Sequence, residues 1–274
     1  MSENIWSDIV NESKKKEDYP SLFPDMEFRP SVKVKIRPLC DFNNYLNIDL
    51  LRLGKITSDY AYMLMTPRKE DDFGNVFASN TITYLNSIIA QRNVNDSIRE
   101  NQQLFSNYLS SQRIKRFGVD VDVVRQCVSK YDSDNGCKCE MVGIVECEGY
   151  MDGFCDFPSA IVRKDGKTIG CISVKVFNSG ADFVYLYDNF QKGRELFQLD
   201  KHLYWECVAH CLSLSVEWCD LIYIDTNQKN GLQIERIKPP IYTIDNLCDD
   251  SIISLHENIK KAIKYVNSSY LLNL

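Results

Sequence analysis

Three apolar runs that follow one another at short intervals constrain the fold of this chain more than any other feature. They occupy residues 141–147, 154–162 and 169–177, and the polar segment 164–167 (Lys-Asp-Gly-Lys) stands between the second and the third. A short polar segment with an Asp-Gly pair between two apolar runs is typical of a hairpin turn. The sequence therefore predicts three consecutive strands, of which the last two form a β-hairpin.

Helical patterns precede and follow these strands. Before them we predict helices over residues 46–53, from Thr57, from Ser79 or Asn80, and through Leu104 and Leu109. After them we predict a helix over residues 199–216, strands over 221–225 and 232–237, and a closing helix over 251–267. The order β-β-β-α-β, followed by one more strand and the closing helix and preceded by a helical region, indicates an α/β fold built on one mixed sheet.

The chain divides into an N-terminal arm and one domain. Residues 1–40 are polar and interrupted by prolines, so we predict an irregular arm with a short helix near residues 4–15. Residues 41–274 are predicted to form a single domain, with a helical part over 41–136 and an α/β core over 137–274. A chain of 274 residues with 44% hydrophobic content can bury a full core.

Composition limits the compartment and the partners. No run approaches the roughly 18 apolar residues of a membrane span, and the first residues hold no apolar segment. We therefore expect a soluble, cytoplasmic protein with no membrane partner. The net charge of −6 requires any phosphate contact to be local, because bulk attraction to nucleic acid would be unfavourable.

The eleven cysteines are interpreted as reduced thiols, because an odd number cannot all pair and no export signal is present. They include Cys137, Cys139, Cys147, Cys155 and Cys171 around the strands, and Cys207, Cys211 and Cys219 beyond them. Structural zinc sites prefer two short Cys-x2–4-Cys pairs, and the spacing also suits an iron-sulfur cluster poorly. We expect plain buried thiols.

One candidate site lies on the predicted strands. Asp152 stands beside Gly153, and Ser173 and Lys175 lie on the third strand, two residues apart and therefore on one face. An acid at one strand end and a lysine at the next is how a metal-dependent nuclease arranges a scissile phosphate. We therefore expect the strands that carry Asp152 and Lys175 to be neighbours. Ser173 stands where a second carboxylate is expected, since Mg²⁺ requires several oxygen ligands.

Five short blocks occur in an order that is characteristic of one nuclease family. They are residues 51–58 (LRLGKITS), 81–92 (TITYLNSIIAQR), 116–125 (RFGVDVDVVR), the Asp152-Gly153 and Ser173-Val174-Lys175 pair, and Tyr204-Trp205-Glu206. Over about residues 45–268 the chain resembles the lambda exonuclease and YqaJ-type viral recombinase family, within the PD-(D/E)XK nuclease fold. This resemblance implies an α/β fold with a central mixed sheet flanked by helices and a helical N-terminal half.

The resemblance also implies an activity and roles for residues. The activity is a Mg²⁺- or Mn²⁺-dependent DNA exonuclease, digesting duplex DNA from 5′ to 3′ in viral or phage recombination or genome processing, in the host cytoplasm if viral. Arg52, with Thr57, Ser58 and the amides that follow, would hold the 5′ phosphate. Asp152 would bind the metal and Lys175 would position or activate the water. Implied partners are duplex DNA ends, a single-strand annealing protein and further copies of the chain in a trimeric ring.

Four positions depart from the family pattern. Ser173 replaces a metal-binding glutamate, Glu206 stands where glutamine is usual, Asp59 replaces a phosphate-contacting serine, and Asp122 is a shortened glutamate. In one explanation the site is relocated: Glu206 supplies the missing carboxylate, with Asp188 and Glu195 as weaker candidates, so that Asp152, Glu206 and Asp122 form the metal set.

In the other explanation the site has decayed, and the chain is a catalytically degenerate nuclease-fold protein with a structural or DNA-binding role. A third hypothesis is an RNA endonuclease of the cap-snatching type. Such an enzyme has the same acid and lysine motif but does not need residues 51–58, the block that contains Arg52.

Overall fold

The computed structural model describes residues 33–67, 76–112, 120–150, 153–228, 231–240 and 251–268. Eight strands form one sheet: β1 (Val34–Pro38), β2 (Ile56–Thr57), β3 (Lys138–Cys147), β4 (Phe154–Asp156), β5 (Ala160–Lys164), β6 (Lys167–Val176), β7 (Cys219–Ile224) and β8 (Leu232–Ile237). Strand β6 pairs with β5 in the predicted antiparallel hairpin and with β7 in parallel, and β7 pairs with β8 in antiparallel fashion. The sheet is therefore mixed, as predicted.

Strands β4 and β5 together form one interrupted strand beside β3. Val145 lies opposite Asp156, and Met141 lies opposite Ala160, so the antiparallel register continues unchanged across the break. Pro158 lies in that break and has no backbone N–H for a ladder hydrogen bond. On the side of β4 and β5 that faces away from β3, β6 pairs with β5, and the short parallel strand β2 pairs with β4. The two halves of the interrupted strand therefore have different neighbours on that side.

The helices are α1 (Leu46–Arg52), α2 (Ala61–Leu64), α3 (Ser79–Arg92), α4 (Asp96–Glu100), α5 (Gln102–Ser111), α6 (Val121–Asn135), α7 (Gly180–Gln191), α8 (Leu196–Leu199), α9 (Lys201–Leu214) and α10 (Ile252–Asn267). Three-residue 3-10 turns cover Leu39–Asp41, Ser58–Tyr60 and Glu148–Tyr150. No helix in the described residues is both long enough and apolar enough to cross a membrane.

Helices cover both faces of the sheet. Helix α9 is buried along most of its length and packs with α3 and α10 on one face, where they form the main core. Helix α10 begins at Ser251, whose hydroxyl accepts the N–H of Ser254, and its apolar residues recur at the helical spacing. On the opposite face, α6 packs Cys127, Val128 and Tyr131 against the sheet. The predicted sheet between helices is confirmed.

The structure differs from the predicted boundaries in three places. Residues 1–32 of the predicted arm lie outside the described residues, but Val34–Pro38 forms an edge strand on β3 and not an irregular segment. Its alternation of apolar and charged residues was obscured by the flanking prolines. The predicted strand over residues 154–162 is interrupted at Pro158, and the helices α6, α7 and α8 were not predicted.

Candidate functional site

The predicted lysine lies on the central part of the sheet, with serines around it. Lys175 and Ser173 share one face of β6, and Ser173 is buried whereas Lys175 is partly exposed. The hairpin register places Ile172 opposite Ala160, so one further step places Ser159 level with Ser173. The N–H of Val174 donates to the Ser159 hydroxyl at 2.9 Å, which places that side chain directly beside Ser173.

Asp152 itself lies outside the described residues. Its neighbour Gly153 immediately precedes β4, and β4 pairs with β2 and β3, whereas Lys175 lies on β6. If the β5–β6 register is continued toward β4, Phe157 lies opposite Lys175. Gly153 precedes Phe157 by four residues, which is about 13 Å along an extended strand. The expectation that the strands carrying Asp152 and Lys175 are neighbours stays a prediction for Asp152; in the described residues β6 pairs with β5, after Pro158, and β4 pairs with β2 and β3.

Serines occupy both positions that the motif of the resembling fold assigns to carboxylates. The motif that names the resembling fold, PD-(D/E)XK, sets an aspartate directly after a proline and a second acid two residues before the lysine. Here Ser159 follows Pro158, and Ser173 precedes Lys175 by two residues. The sequence-based choice of Asp152 missed Ser159, although a proline inside an apolar run is a signal that a strand restarts there.

The described residues do not fit a Mg²⁺ site at Lys175. Magnesium needs a near-octahedral set of oxygens that usually includes one or two carboxylates. Ser159 and Ser173 offer neutral hydroxyls, and the Ser159 oxygen already accepts a backbone N–H. Within the described ranges, no carboxylate forms an ion pair with Lys175. The residues around Lys175 therefore do not support metal-assisted hydrolysis in the described structure.

Glu206 lies on a polar face of α9 that also carries His202, His210 and Ser213. His202 contacts the backbone oxygen of Asp59 at 2.6 Å, and the Glu206 carboxylate lies 3.9 Å from Nε2 of His210. The Glu206 side chain is 18% exposed, so it is mostly shielded from water without being sealed in. This polar face brings α9 against the Ser58–Tyr60 turn, which is part of the first block of the family resemblance.

A buried ion pair joins α9 to the end of β4. Nδ1 of His210 lies 2.6 Å from Oδ1 of Asp156, and the hydroxyl of Ser213 donates to the other carboxylate oxygen. Burial favours neutral His210, but attraction to Asp156 outweighs it and raises the pKa of His210 to about 9. Burial likewise opposes ionisation of Asp156, but His210 and hydrogen bonds from Ser213 and Ser58 lower its pKa below the ordinary value. The sequence alone did not single out this pair.

The three residues predicted to hold a phosphate are engaged within the protein. Nε of Arg52 lies 3.1 Å from Oδ1 of the buried Asp49, and the Arg52 side chain is only 11% exposed. Thr57 is buried, and its hydroxyl bonds the Asp59 carboxylate while its N–H donates to the Tyr84 hydroxyl at 3.2 Å. Ser58 is buried and bonds Asp156. Their role in phosphate binding stays a prediction. To bind a phosphate, these residues would have to break their present internal contacts.

The remaining candidates are spread over the fold. Asp122 is 83% exposed on α6 and pairs with Arg125 at 2.8 Å, and no described contact joins it to Glu206. Asp188 is exposed on α7, and Glu195 is exposed immediately before α8. The structure therefore does not gather these acids into one cluster with Lys175 in the part of the chain that it describes.

The cysteines are largely core residues. Seven of the ten described cysteines are buried, and all ten are free thiols. Cys171 on β6 contacts Cys211 on α9 and Cys219 on β7, and Cys219 contacts Cys207. This line of thiols fills the layer between α9 and the sheet, where cysteine acts as a small apolar residue.

Comparison with known proteins adds a relationship of fold. No protein family matches the chain, and no curated protein matches it either. The structure is similar to that of an alkaline exonuclease (LHK-Exo) from Laribacter hongkongensis, with a TM-score of 0.51 and 16% identity over 81% of this chain and 93% of that chain. The same protein in complex with dAMP gives the same values. The chain therefore shares the fold of this nuclease.

Proposed function

We propose that this chain is a nuclease-fold protein that binds DNA and does not hydrolyse it. One observation carries the proposal: Lys175 stands without an ion pair in the described structure beside two serines, Ser159 and Ser173, where a hydrolytic site needs carboxylates. A lysine flanked by hydroxyls favours a phosphate group, which needs cationic and hydrogen-bond donors, over a metal cation.

DNA is the partner that the fold similarity favours. Its phosphate would meet the Lys175 ammonium directly, and such contacts weaken as salt rises because counterions are released on binding. The negative net charge of the chain limits binding to a local site. The trimeric ring and the annealing partner implied by the family resemblance stay predictions.

The test combines binding and hydrolysis on one substrate. We expect fluorescently labelled, 5′-phosphorylated duplex DNA to bind in EDTA, with salt-dependent anisotropy, and to stay intact with Mg²⁺ or Mn²⁺. Lys175→Met should weaken binding about tenfold, since it removes one charge-assisted phosphate contact. Lys164→Met is the matched control, because Lys164 is an exposed lysine at the tip of the same hairpin. Equal affinities of the two variants would contradict the proposal.

A second candidate is the Mg²⁺- or Mn²⁺-dependent 5′ to 3′ exonuclease, with Glu206 as the relocated carboxylate. The observation that favours it is the Glu206 carboxylate, which is mostly shielded from water. Among the described residues its only ion-pair partner is His210, at 3.9 Å. In that case wild-type protein would shorten the labelled duplex, and both Asp152→Asn and Glu206→Gln would abolish cleavage. Cleavage by the wild type that Glu206→Gln removes would replace our proposal with this one.

A further inference from the structure

A cluster of side chains of the types that ligate metals lies on the opposite side of the sheet from α9. Sγ of Cys137 and Sγ of Cys139 are 3.7 Å apart, and a carboxylate oxygen of Asp132 lies within 4.8 Å of both. All three side chains are partly buried, so solvent can reach them. In the described ranges, no other group of three histidine, cysteine or acidic side chains meets the same distances.

The backbone brings these residues together. Gly136 caps the end of α6 with a positive φ of 59° that reverses the chain, and its N–H donates to the backbone carbonyl oxygen of Asp132 at 3.0 Å. Cys137 and Cys139 then follow, two residues apart and on one side of the extended chain, alongside the last turn of α6. The Asp132 carboxylate is fixed by the N–H of Cys139 at 3.3 Å.

The spacing of the two sulfurs matches tetrahedral coordination. With a Zn–S bond of about 2.3 Å, two sulfurs on a tetrahedral ion lie about 3.75 Å apart. The observed separation is 3.7 Å. A carboxylate supplies the third ligand, and the partial exposure of the cluster leaves the fourth position to water.

The charges around the cluster favour a cation. The Asp132 carboxylate lies beside the two thiols and gives the cluster a negative charge. Two nearby arginines are paired with other acids: Arg163 pairs with Glu140 at 2.9 Å, and Arg236 pairs with Asp220 at 2.7 Å. Asp132 has no ion pair with any described lysine or arginine. A divalent ion would displace the thiol protons and supply the missing charge.

We propose that Asp132, Cys137 and Cys139 bind one zinc ion, or another thiophilic divalent cation, and thereby clamp the end of α6 to the start of β3. The sequence argued against zinc because the cysteine spacings do not match a structural zinc site. In the structure, the Asp132 carboxylate on α6 adds a third ligand to Cys137 and Cys139. This site is separate from the Lys175 region and does not depend on the function proposed there.

The test is cadmium titration of the reduced protein, followed by the ultraviolet thiolate-to-cadmium charge-transfer band. We expect saturation at about one ion per chain, as for a single site. Cys137→Ser and Cys139→Ser should each lower the band by about half and weaken affinity at least tenfold, whereas Asp132→Asn should keep the band but weaken affinity about tenfold. The matched control is Cys40→Ser, because Cys40 is an exposed thiol beside Asp41 without a second thiol; this variant should behave as wild type.

A second measurement needs no variant. Zinc should protect Cys137 and Cys139 of the wild-type protein from alkylation, read by peptide mass spectrometry, while Cys40 stays reactive. Zinc should also raise the thermal midpoint of the wild type and not that of the Cys137→Ser and Cys139→Ser double variant. No charge-transfer band, an undiminished band in that double variant, or equal alkylation of all three cysteines would overturn the proposal.

Discussion

The Asp156 carboxylate and the His210 imidazole form a hydrogen bond of 2.6 Å, and both side chains are almost completely removed from solvent. The pair joins the end of β4 to α9 and so holds the Ser58–Tyr60 turn and the sheet together. An ion pair at this depth is favourable only while both partners are charged and hydrogen-bonded. The first two predictions follow from this relationship.

We predict that the free energy of unfolding falls as pH rises from about 6.5 to about 9. The pKa of His210 is raised from 6.5 to about 9 in the folded protein, so its stabilising contribution is complete below 6.5 and is lost as pH approaches 9. The contribution of Asp156, whose pKa is lowered, is lost only as pH falls below its ordinary value of 3.8. The loss on the alkaline side is up to about 3 kcal/mol.

Urea unfolding at several pH values measures this dependence, and His210→Gln should remove most of the alkaline slope. The His210 proton resonance in the wild-type protein gives its midpoint directly by NMR. A midpoint near the ordinary histidine value would contradict the prediction.

Asp156→Asn should destabilise the protein by about 3–5 kcal/mol, because it leaves the His210 charge buried without its partner. Ser213→Ala, which removes only one neutral donor to the same carboxylate, should cost about 1 kcal/mol. Chemical unfolding of both variants gives the comparison. Similar losses for the two variants would show that Asp156 does not hold a buried charge.

Replacing both serines near Lys175 by acids should create a divalent metal site. The variant Ser159→Asp with Ser173→Glu places two carboxylates on adjacent strands at the level that the hairpin register defines. We expect bound Mn²⁺ by electron paramagnetic resonance in this variant and none in the matched variant Ser159→Asn with Ser173→Gln. A folded acidic variant that binds no Mn²⁺ would show that Ser159 and Ser173 do not face one space.

Gly170→Ala should destabilise the protein by about 1–3 kcal/mol, as overpacking in a filled interior does. A β-carbon at Gly170 would overlap the indole ring of Trp218. That ring cannot yield easily, because the Arg236 guanidinium stacks on it at 3.9 Å while holding Asp220. Thermal unfolding measures the loss, and Ile169→Ala, at the exposed neighbouring position, should have a smaller effect.

Although β1, α6 and α7 were not predicted, the sequence alone determined the hairpin at the centre of the sheet, the last two strands and the closing helix. Local signals specify these features: the Asp-Gly turn of residues 164–167 fixes the β5–β6 hairpin, Ser251 begins the closing helix, and the 232–237 strand has the predicted bounds. The resemblance carried by short blocks led to a nuclease fold, and the similarity to the alkaline exonuclease confirms that fold.

Only the tertiary structure decided which residues surround Lys175 and which side chains bind one another. Because a single proline at position 158 interrupts the strand, β2 becomes the neighbour of β4, and Ser159, not a residue beside Gly153, meets Ser173. Likewise, Asp156 and His210 are 54 residues apart in the chain, and no local pattern marks two residues that meet only when α9 packs on the sheet. Backbone propensity acts over a few residues, whereas register and packing act between distant segments, and the candidate site depends on the latter.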